Sequence, residues 1–219
     1  MPELYDFLTG PGLWISFAVF FGGLIIRVAF LFGLSRERDR VFYNHQEMGW
    51  AARSIGHWLL PLGSVSLRAQ PVFGIVFFVF HVCLLGVPLF LDAHNILWAE
   101  SFGYSLPSLR DSLADGMTIV LFVCMGFLFF RRLARPEVRI LTTPWDYSLL
   151  VLTLLPFLTG FLAYHQWGPY SLMMLLHVLT AEILLVVIPF SKLGHVVLFF
   201  FTRAFIGFEM GVRRGAKTW

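Results

Sequence analysis

Charged residues are scarce in this chain, and their scarcity decides the class of protein. Only 13% of the 219 residues are Asp, Glu, Lys or Arg, whereas soluble domains carry about 25%. Hydrophobic residues make up 58% of the chain, with 25 Phe among them. This composition excludes an ordinary soluble domain, favours an integral membrane protein in contact with lipids, and gives no reason to expect a nucleic-acid partner.

Cysteine is also rare. The two cysteines, Cys83 and Cys124, lie singly inside apolar runs. They therefore form neither a disulfide framework nor the CxxCH motif that attaches haem covalently. The N-terminal sequence MPELYDFLTG lacks the basic residues that begin a signal peptide, so the apolar run after it is interpreted as a retained first span.

Long apolar runs predict an all-α integral membrane fold, a single domain of five transmembrane helices in a bundle. The predicted spans are residues 12–34, 71–93, 116–130, 147–164 and 171–203. The segment 35–70 mixes aromatic and basic residues at roughly helical spacing, which predicts an interfacial helix on the cytoplasmic face.

Basic residues are concentrated in the segment 35–70, in the loop after the third span and in the C-terminal tail. The N-terminus and the other two loops hold almost none. By the positive-inside rule, this distribution places the N-terminus outside and the C-terminus in the cytoplasm.

The stretch from Ser171 to Phe205 is one apolar segment that carries two histidines, His177 and His195, eighteen residues apart. If the stretch is a single helix, both imidazoles leave the same face, because eighteen residues make about five turns. At about 1.5 Å per residue they lie about 27 Å apart, close to the thickness of a hydrocarbon core. This spacing suits a pair of stacked haems.

Two further histidines, His81 and His94, are predicted to lie at the same membrane depths as His195 and His177. The predicted orientation places His81 and His195 in the inner half, and His94 and His177 in the outer half. Imidazole pairs are the axial ligands of low-spin haem, and closing both axial positions favours electron transfer over oxygen binding. Zinc would need three or four ligands in a compact cluster, which the sequence does not show. The full set of seven histidines is His45, His57, His81, His94, His165, His177 and His195.

The outer pair has a geometric difficulty. His81 and His94 are thirteen residues apart, which is about 220° around a straight helix, so they would not share a face. Pro88 lies between them and would bend the helix, which would re-aim His94. His165 is the alternative outer ligand.

Two segments carry a resemblance to a known family. RRLARPEVRILTTPWD (131–146) and LLHVLTAEILLVVIPFSKLGH (175–195) resemble the gamma subunit of respiratory nitrate reductase, a five-span dihaem cytochrome b. The resemblance implies two non-covalent haem b groups, with His81 and His195 as iron ligands of the inner haem and His177 as a ligand of the outer haem.

The second ligand on span two departs from the gamma-subunit pattern, in which that position would be Leu91. The sequence GVPLFLDAH (86–94) instead resembles the cytochrome b subunits of sulfur-metabolism membrane complexes, linked to sulfite reductase or to tetrahaem cytochrome c3. That resemblance makes His94 the fourth iron ligand. It also implies a bacterial or archaeal cytoplasmic (inner) membrane as the location.

The same resemblance implies the partners. The cytoplasmic partner would be an iron–sulfur subunit similar to the catalytic subunit of heterodisulfide reductase. The outer-side electron donor would be menaquinol or a periplasmic multihaem cytochrome c, and a quinol site would lie near the outer haem. The chain would then be the electron-transfer subunit of a respiratory oxidoreductase. The alternative is a membrane anchor or transporter without haem, in which the histidines are structural.

Four charged residues lie at unusual depth. Arg27, Arg68 and Lys192 are placed at the inner membrane boundary, where they would pair with haem propionates or extend to the headgroups. Glu182 lies in the middle of the last span, and is expected to be neutral, paired with a base such as Arg27, or part of a proton path.

Overall fold

The computed structural model describes residues 2–38, 43 and 46–217, so His45 lies outside the described part. The described residues form helices and contain no strand, which confirms the all-α prediction. Six helices within this part are long and apolar enough to cross a membrane. A multi-pass membrane protein is therefore supported by length and composition together.

Backbone contacts divide the chain into two compact units. Unit 1 comprises Met1–Gly74 and Val178–Trp219, and unit 2 comprises Ile75–His177. Each predicted ligand histidine can therefore be described within its own unit. His195 belongs to unit 1, and the three others belong to unit 2.

Unit 1 begins with a long helical run that covers the predicted first span. The helix α1 (Pro2–Phe7) passes through a π-helical turn (Leu8–Gly12) that contains Pro11 into α2 (Leu13–Arg38). The predicted segment 35–70 contains α3 (Met48–Leu59) and the short helix α4 (Val65–Ala69).

Unit 2 contains three of the membrane-length helices and their connections. Its helices are α5 (Pro71–Phe90), which begins in unit 1, α6 (Asp92–Phe102), α7 (Asp111–Ala134), the short α8 (Pro136–Arg139), α9 (Pro144–Tyr164) and the first part of α10 (Tyr170–Val187). Apolar side chains of α5 and α7 form its buried core, which includes both cysteines, and Leu121 is fully buried. The helix α9 starts with a capping box in which the Asp146 carboxylate accepts from the Thr143 backbone N–H and the Thr143 hydroxyl donates to it as well.

The expectation of one continuous helix from Ser171 to Phe205 is wrong. The helix α10 ends at Val187, and two single 3₁₀ turns, Ile188–Phe190 and Lys192–Gly194, precede α11 (His195–Ile206). Ser191 between the turns has an extended backbone. His177 and His195 therefore lie on different helices, and the argument that one straight helix aligns them fails.

A second helix break corrects the prediction of span two. The helix α5 ends at Phe90, Leu91 has an extended backbone, and α6 begins at Asp92. Asn95 then fastens α6 to the following loop, because its amide donates to the Pro107 carbonyl and the Ser108 hydroxyl. His81 and His94 therefore belong to separate helices, and the predicted angle of about 220° between them no longer applies.

The C-terminal part of unit 1 packs against α3. The chain continues from α11 into a π-helix (Gly207–Arg213), and both elements contact α3. A Cβ at Gly211 would overlap the Trp50 indole ring, so the glycine permits the close approach of the two elements. The Arg203 guanidinium lies 3.5 Å from the Trp58 ring centroid, a cation–π contact across the same interface.

Candidate metal centre at His94 and His177

The structure brings His94 and His177 together within unit 2. Their ring centroids are 6.0 Å apart and the ring planes differ by 18°. Two imidazoles that bind one metal ion through Nε2 from opposite sides, each at about 2 Å, place their centroids about 6 Å apart. The centroid spacing of this pair matches that separation.

Backbone carbonyls fix the tautomer of both rings. The Nδ1 atom of His94 is 2.9 Å from the carbonyl oxygen of Pro88, and Nδ1 of His177 is 2.8 Å from the carbonyl oxygen of Pro156. A carbonyl oxygen only accepts, so each Nδ1 carries a proton, and Nε2 is the nitrogen that a neutral ring would offer to a metal. A backbone carbonyl that accepts from the other ring nitrogen is the contact that orients many metal-binding histidines.

The carbonyl that His94 uses is available because α5 ends nearby. The last four carbonyls of a helix have no partner within the helix. In α5, Leu91 N–H donates to Val87 O, and Leu109 N–H donates to Phe90 O. The Pro88 carbonyl is taken by His94. The helix break at Leu91 thus both re-aims His94 and supplies its anchor.

Gly160 makes room for the other ring. A Cβ built on Gly160 would lie 2.8 Å from Nδ1 and 2.9 Å from Cε1 of His177. Separations below 3 Å are closer than carbon atoms tolerate, so α9 accepts the His177 ring only because residue 160 has no side chain. Glycine at this position is a requirement of the site.

His165, the alternative outer ligand, has a different environment. Its Nε2 lies 3.2 Å from Oδ1 of Asp115, so this nitrogen donates to a carboxylate. Its ring packs against the aromatic rings of Phe161, Tyr164 and Trp167. The ring beside His177 is that of His94, and the geometry favours His94 over His165.

The two inner candidates show the same tautomer as the outer pair. In unit 2, Nδ1 of His81 donates to the Phe77 carbonyl at 2.8 Å. In unit 1, Nδ1 of His195 donates to the Lys192 carbonyl at 2.9 Å, at the first residue of α11. In each ring Nδ1 is engaged by a carbonyl, so Nε2 is the nitrogen that a neutral imidazole would offer to a metal.

An open recess in unit 1 joins three of the predicted cofactor residues. It has a volume of about 260 Å³, and Arg27, Lys192 and His195 all line it. Arg203, which the sequence analysis did not single out, contributes a third cation to the same recess. Three cations beside an imidazole suit a ligand that carries carboxylates.

Arg27 also has a structural role that the sequence did not reveal. Its Nη1 donates to the carbonyl oxygens of Pro189 and Ser191, both at 2.7 Å. These are carbonyls of the break between α10 and α11, so Arg27 stabilises the interruption of the last predicted span. A guanidinium has five N–H donors, so donors remain on Nε and Nη2 for a bound anion.

Arg68 does not join this recess. Its Nη1 donates to the carbonyl oxygens of Leu62 and Gly63, at 3.2 and 3.0 Å, and its side chain is exposed. Leu62 has a positive φ of 61°, so the arginine holds a strained turn before α4. The contacts of Arg68 indicate a structural role.

No protein-family model matches the chain, and no solved structure matches it. A protein of Nitratidesulfovibrio vulgaris (strain Hildenborough) is 45% identical over 219 residues, with 98% of this chain and 97% of the relative covered. The chain belongs to the family of that protein. Because the alignment spans nearly all of both chains, membership rests on the whole chain rather than on one segment.

The sequence indicated only weakly that two further residues, Pro156 and Gly160, contribute to the site beside His177. Pro156 and Gly160 lie in the middle of an apolar span, where neither residue is a good helix former. An isolated glycine in a helical pattern has either a packing or a functional reason. Here the reason is the His177 ring, which the sequence could not place against α9.

Proposed function

We propose that this chain is a dihaem cytochrome b that transfers electrons across a bacterial or archaeal cytoplasmic membrane. The observation that carries the proposal is the His94/His177 pair, with its centroid spacing of 6.0 Å and both Nδ1 atoms fixed by backbone carbonyls. His81 and His195 are proposed as the ligands of the second haem from their matching depth in the predicted topology, and each holds its Nδ1 against a backbone carbonyl within its own unit. When bound, the two haems supply one-electron transfer at the potentials that their axial histidines set.

The proposed topology has five crossings, with the N-terminus outside and the C-terminus in the cytoplasm. Charge placement supports it, since the basic residues cluster in alternate connections and in the tail. The fifth crossing is Tyr170–Phe190, whose 21 residues span about 31 Å as a helix. We propose that the remaining apolar helix, Lys192–Gly211, runs near the inner face, which suits its basic residues.

The side chains of the protein would orient the cofactors and set their environment. The imidazole Nε2 atoms would bind the haem iron, and backbone carbonyls would hold the imidazole rings in place. The apolar helices around them would exclude water. Arg27, Lys192 and Arg203 offer partners for carboxylate groups at the inner side. Arg68 is a weaker candidate for that role, because the turn before α4 uses its guanidinium.

We propose one partner for each side of the membrane, the cytoplasmic face and the outer face. A cytoplasmic iron–sulfur subunit similar to the heterodisulfide reductase catalytic subunit would dock on the basic inner face. Menaquinol or a periplasmic multihaem cytochrome c would deliver or accept electrons on the outer side.

Electron transfer through proteoliposomes tests this function. The purified protein is reconstituted into vesicles that enclose ferricyanide, and dithionite is added outside. We expect reduction of the enclosed ferricyanide well above the rate of protein-free vesicles, because two haems provide stepping stones across the bilayer. His177→Ala should return the rate to that of empty vesicles. A wild-type rate equal to that of protein-free vesicles would favour the anchor or transporter alternative.

A further inference from the structure

Glu182 is a buried carboxyl group that forms no ion pair with the described residues. It lies in the membrane-length helix α10, is only 6% exposed, and its Oε1 has no hydrogen-bond partner. Among the described residues no ion pair includes it, and the Nη1 of Arg27 instead serves the Pro189 and Ser191 carbonyls. The ion pair with Arg27 that the sequence offered as one alternative is therefore absent.

The neighbour of the carboxyl group is the N-terminal π-helical turn. A Cβ on Gly12 would lie 3.3 Å from both carboxyl oxygens of Glu182 and 3.1 Å from the Phe7 carbonyl oxygen. The absence of a side chain at Gly12 thus lets the carboxyl group approach the backbone of this turn. π-helical turns inside longer helices are often found at functional sites.

Within the described part of the chain, the elements around this site supply no base that forms an ion pair with the carboxyl group. The turn Leu8–Gly12 contains no titratable residue, and the acids of α1, Glu3 and Asp6, are exposed. The other titratable residues of α10 are Tyr170 and His177, and Arg27, the base of α2 at membrane depth, is engaged with carbonyls. An ionised carboxylate buried without a partner is costly, so such a group takes up a proton.

A second buried acid in the chain shows the contrast. Asp146 is 8% exposed, yet it accepts from the backbone N–H and the hydroxyl of Thr143, each at 2.8 Å. These donors stabilise the ionised form at a helix N-terminus. The two carboxyl groups are similarly buried, and they differ in the hydrogen-bond donors that the protein offers them.

We propose that Glu182 is a proton-binding site inside the membrane, with a carboxyl group that is protonated in the resting protein and exchanges its proton with water. A metal cation is a poor occupant, since Ca²⁺ or Mg²⁺ takes about six oxygen ligands, and the described residues hold no group of three or more His, Cys, Asp or Glu side chains that could bind a metal ion. The inference does not depend on the haem proposal, because it concerns a carboxyl group and the turn against it.

Dicyclohexylcarbodiimide, an apolar reagent that modifies protonated carboxyl groups, provides the first test. Membranes that contain the full chain are treated at neutral pH, and modified peptides are quantified by mass spectrometry. We expect labelling of Glu182 at least about tenfold above labelling of Asp146, because only the former is protonated. Labelling of Glu182 no higher than that of Asp146 would overturn the proposal. The ratio is measured within the wild-type chain and needs no variant.

Infrared spectroscopy provides the second test. The carbonyl stretch of a protonated carboxylic acid should be present at neutral pH, should shift in D₂O, and should vanish in Glu182→Gln. Asp146→Asn, which alters the partnered acid, should leave that band in place. A carboxylate band that is lost in Glu182→Gln would show an ionised group, and a band that does not shift in D₂O would show a proton that does not exchange. Either result would contradict the proposal.

Discussion

Replacing His177 with alanine should remove one haem and leave the other. The reason is that His177 and His94 form one pair, whereas His81 and His195 belong to the other proposed site. We expect the haem content of the purified variant to fall to about half that of the wild type. The reason is that the protein binds a bis-histidine haem much more weakly when one of the two histidines is removed. Pyridine haemochrome spectra normalised to protein measure this content, and His94→Ala should give the same result.

His165→Ala is the matched control for this prediction. It also removes an imidazole at the end of a membrane-length helix, but the nitrogen Nε2 of His165 is engaged with Asp115. We expect its haem content to match that of the wild type. If His165→Ala lost a haem while His94→Ala kept both, the assignment of the outer ligand to His94 would be wrong.

Replacing Gly160 with alanine should disturb the same site without removing a ligand. The added methyl group would lie 2.8 Å from Nδ1 of His177, at the point where the ring meets its carbonyl anchor. The ring would have to shift, and overpacking of this kind costs about 1–3 kcal/mol. We expect retention of the outer haem to weaken by about fivefold to about 150-fold, as measured by haem loss to an apoprotein acceptor.

Gly126→Ala is the control for the added methyl group. Gly126 also lies inside a membrane-length helix, α7, but a Cβ there meets nothing within 4 Å. Alanine is the better helix former by about 1 kcal/mol, so this variant should be at least as stable as the wild type. Equal haem retention in Gly126→Ala and Gly160→Ala would show that the His177 ring does not depend on the space beside α9.

The class of protein and the position of most spans followed from the sequence, because a hydrocarbon core imposes length and composition on any helix that crosses it. The helices α7 and α9 cover the predicted third and fourth spans. A membrane requires the interior of a crossing helix to be long and apolar, and both properties can be recognised in a single sequence.

The helix ends were harder to predict, and the geometry of the site depends on them. A straight span two kept His94 away from the face of His81, and the break at Leu91 removes that conflict. Leucine is a poor N-cap, so the start of α6 had only weak local signals, namely Pro88 shortly before it and Asp92 in its first turn. The break at Ser191 had better signals, since Pro189, Ser191 and Gly194 are all turn residues.

Contacts between segments that are distant along the chain could not be predicted from the sequence. Arg27 reaches carbonyls more than 160 positions away along the chain, and Gly160 faces a ring on the next helix. These contacts depend on how helices pack, which periodicity within one helix does not encode. The sequence identified the residue types of the site, and the fold decided which of them meet.

The measurement that tests the central claim most directly is the reduced-minus-oxidised visible spectrum of the purified chain, with the haem content per protein determined on the same sample. Two non-covalent haem b groups per chain, with b-type bands that appear on reduction, are the predicted result. A pure, folded protein that shows no b-type band after expression with sufficient haem would contradict the account, and the four histidines would then be structural residues.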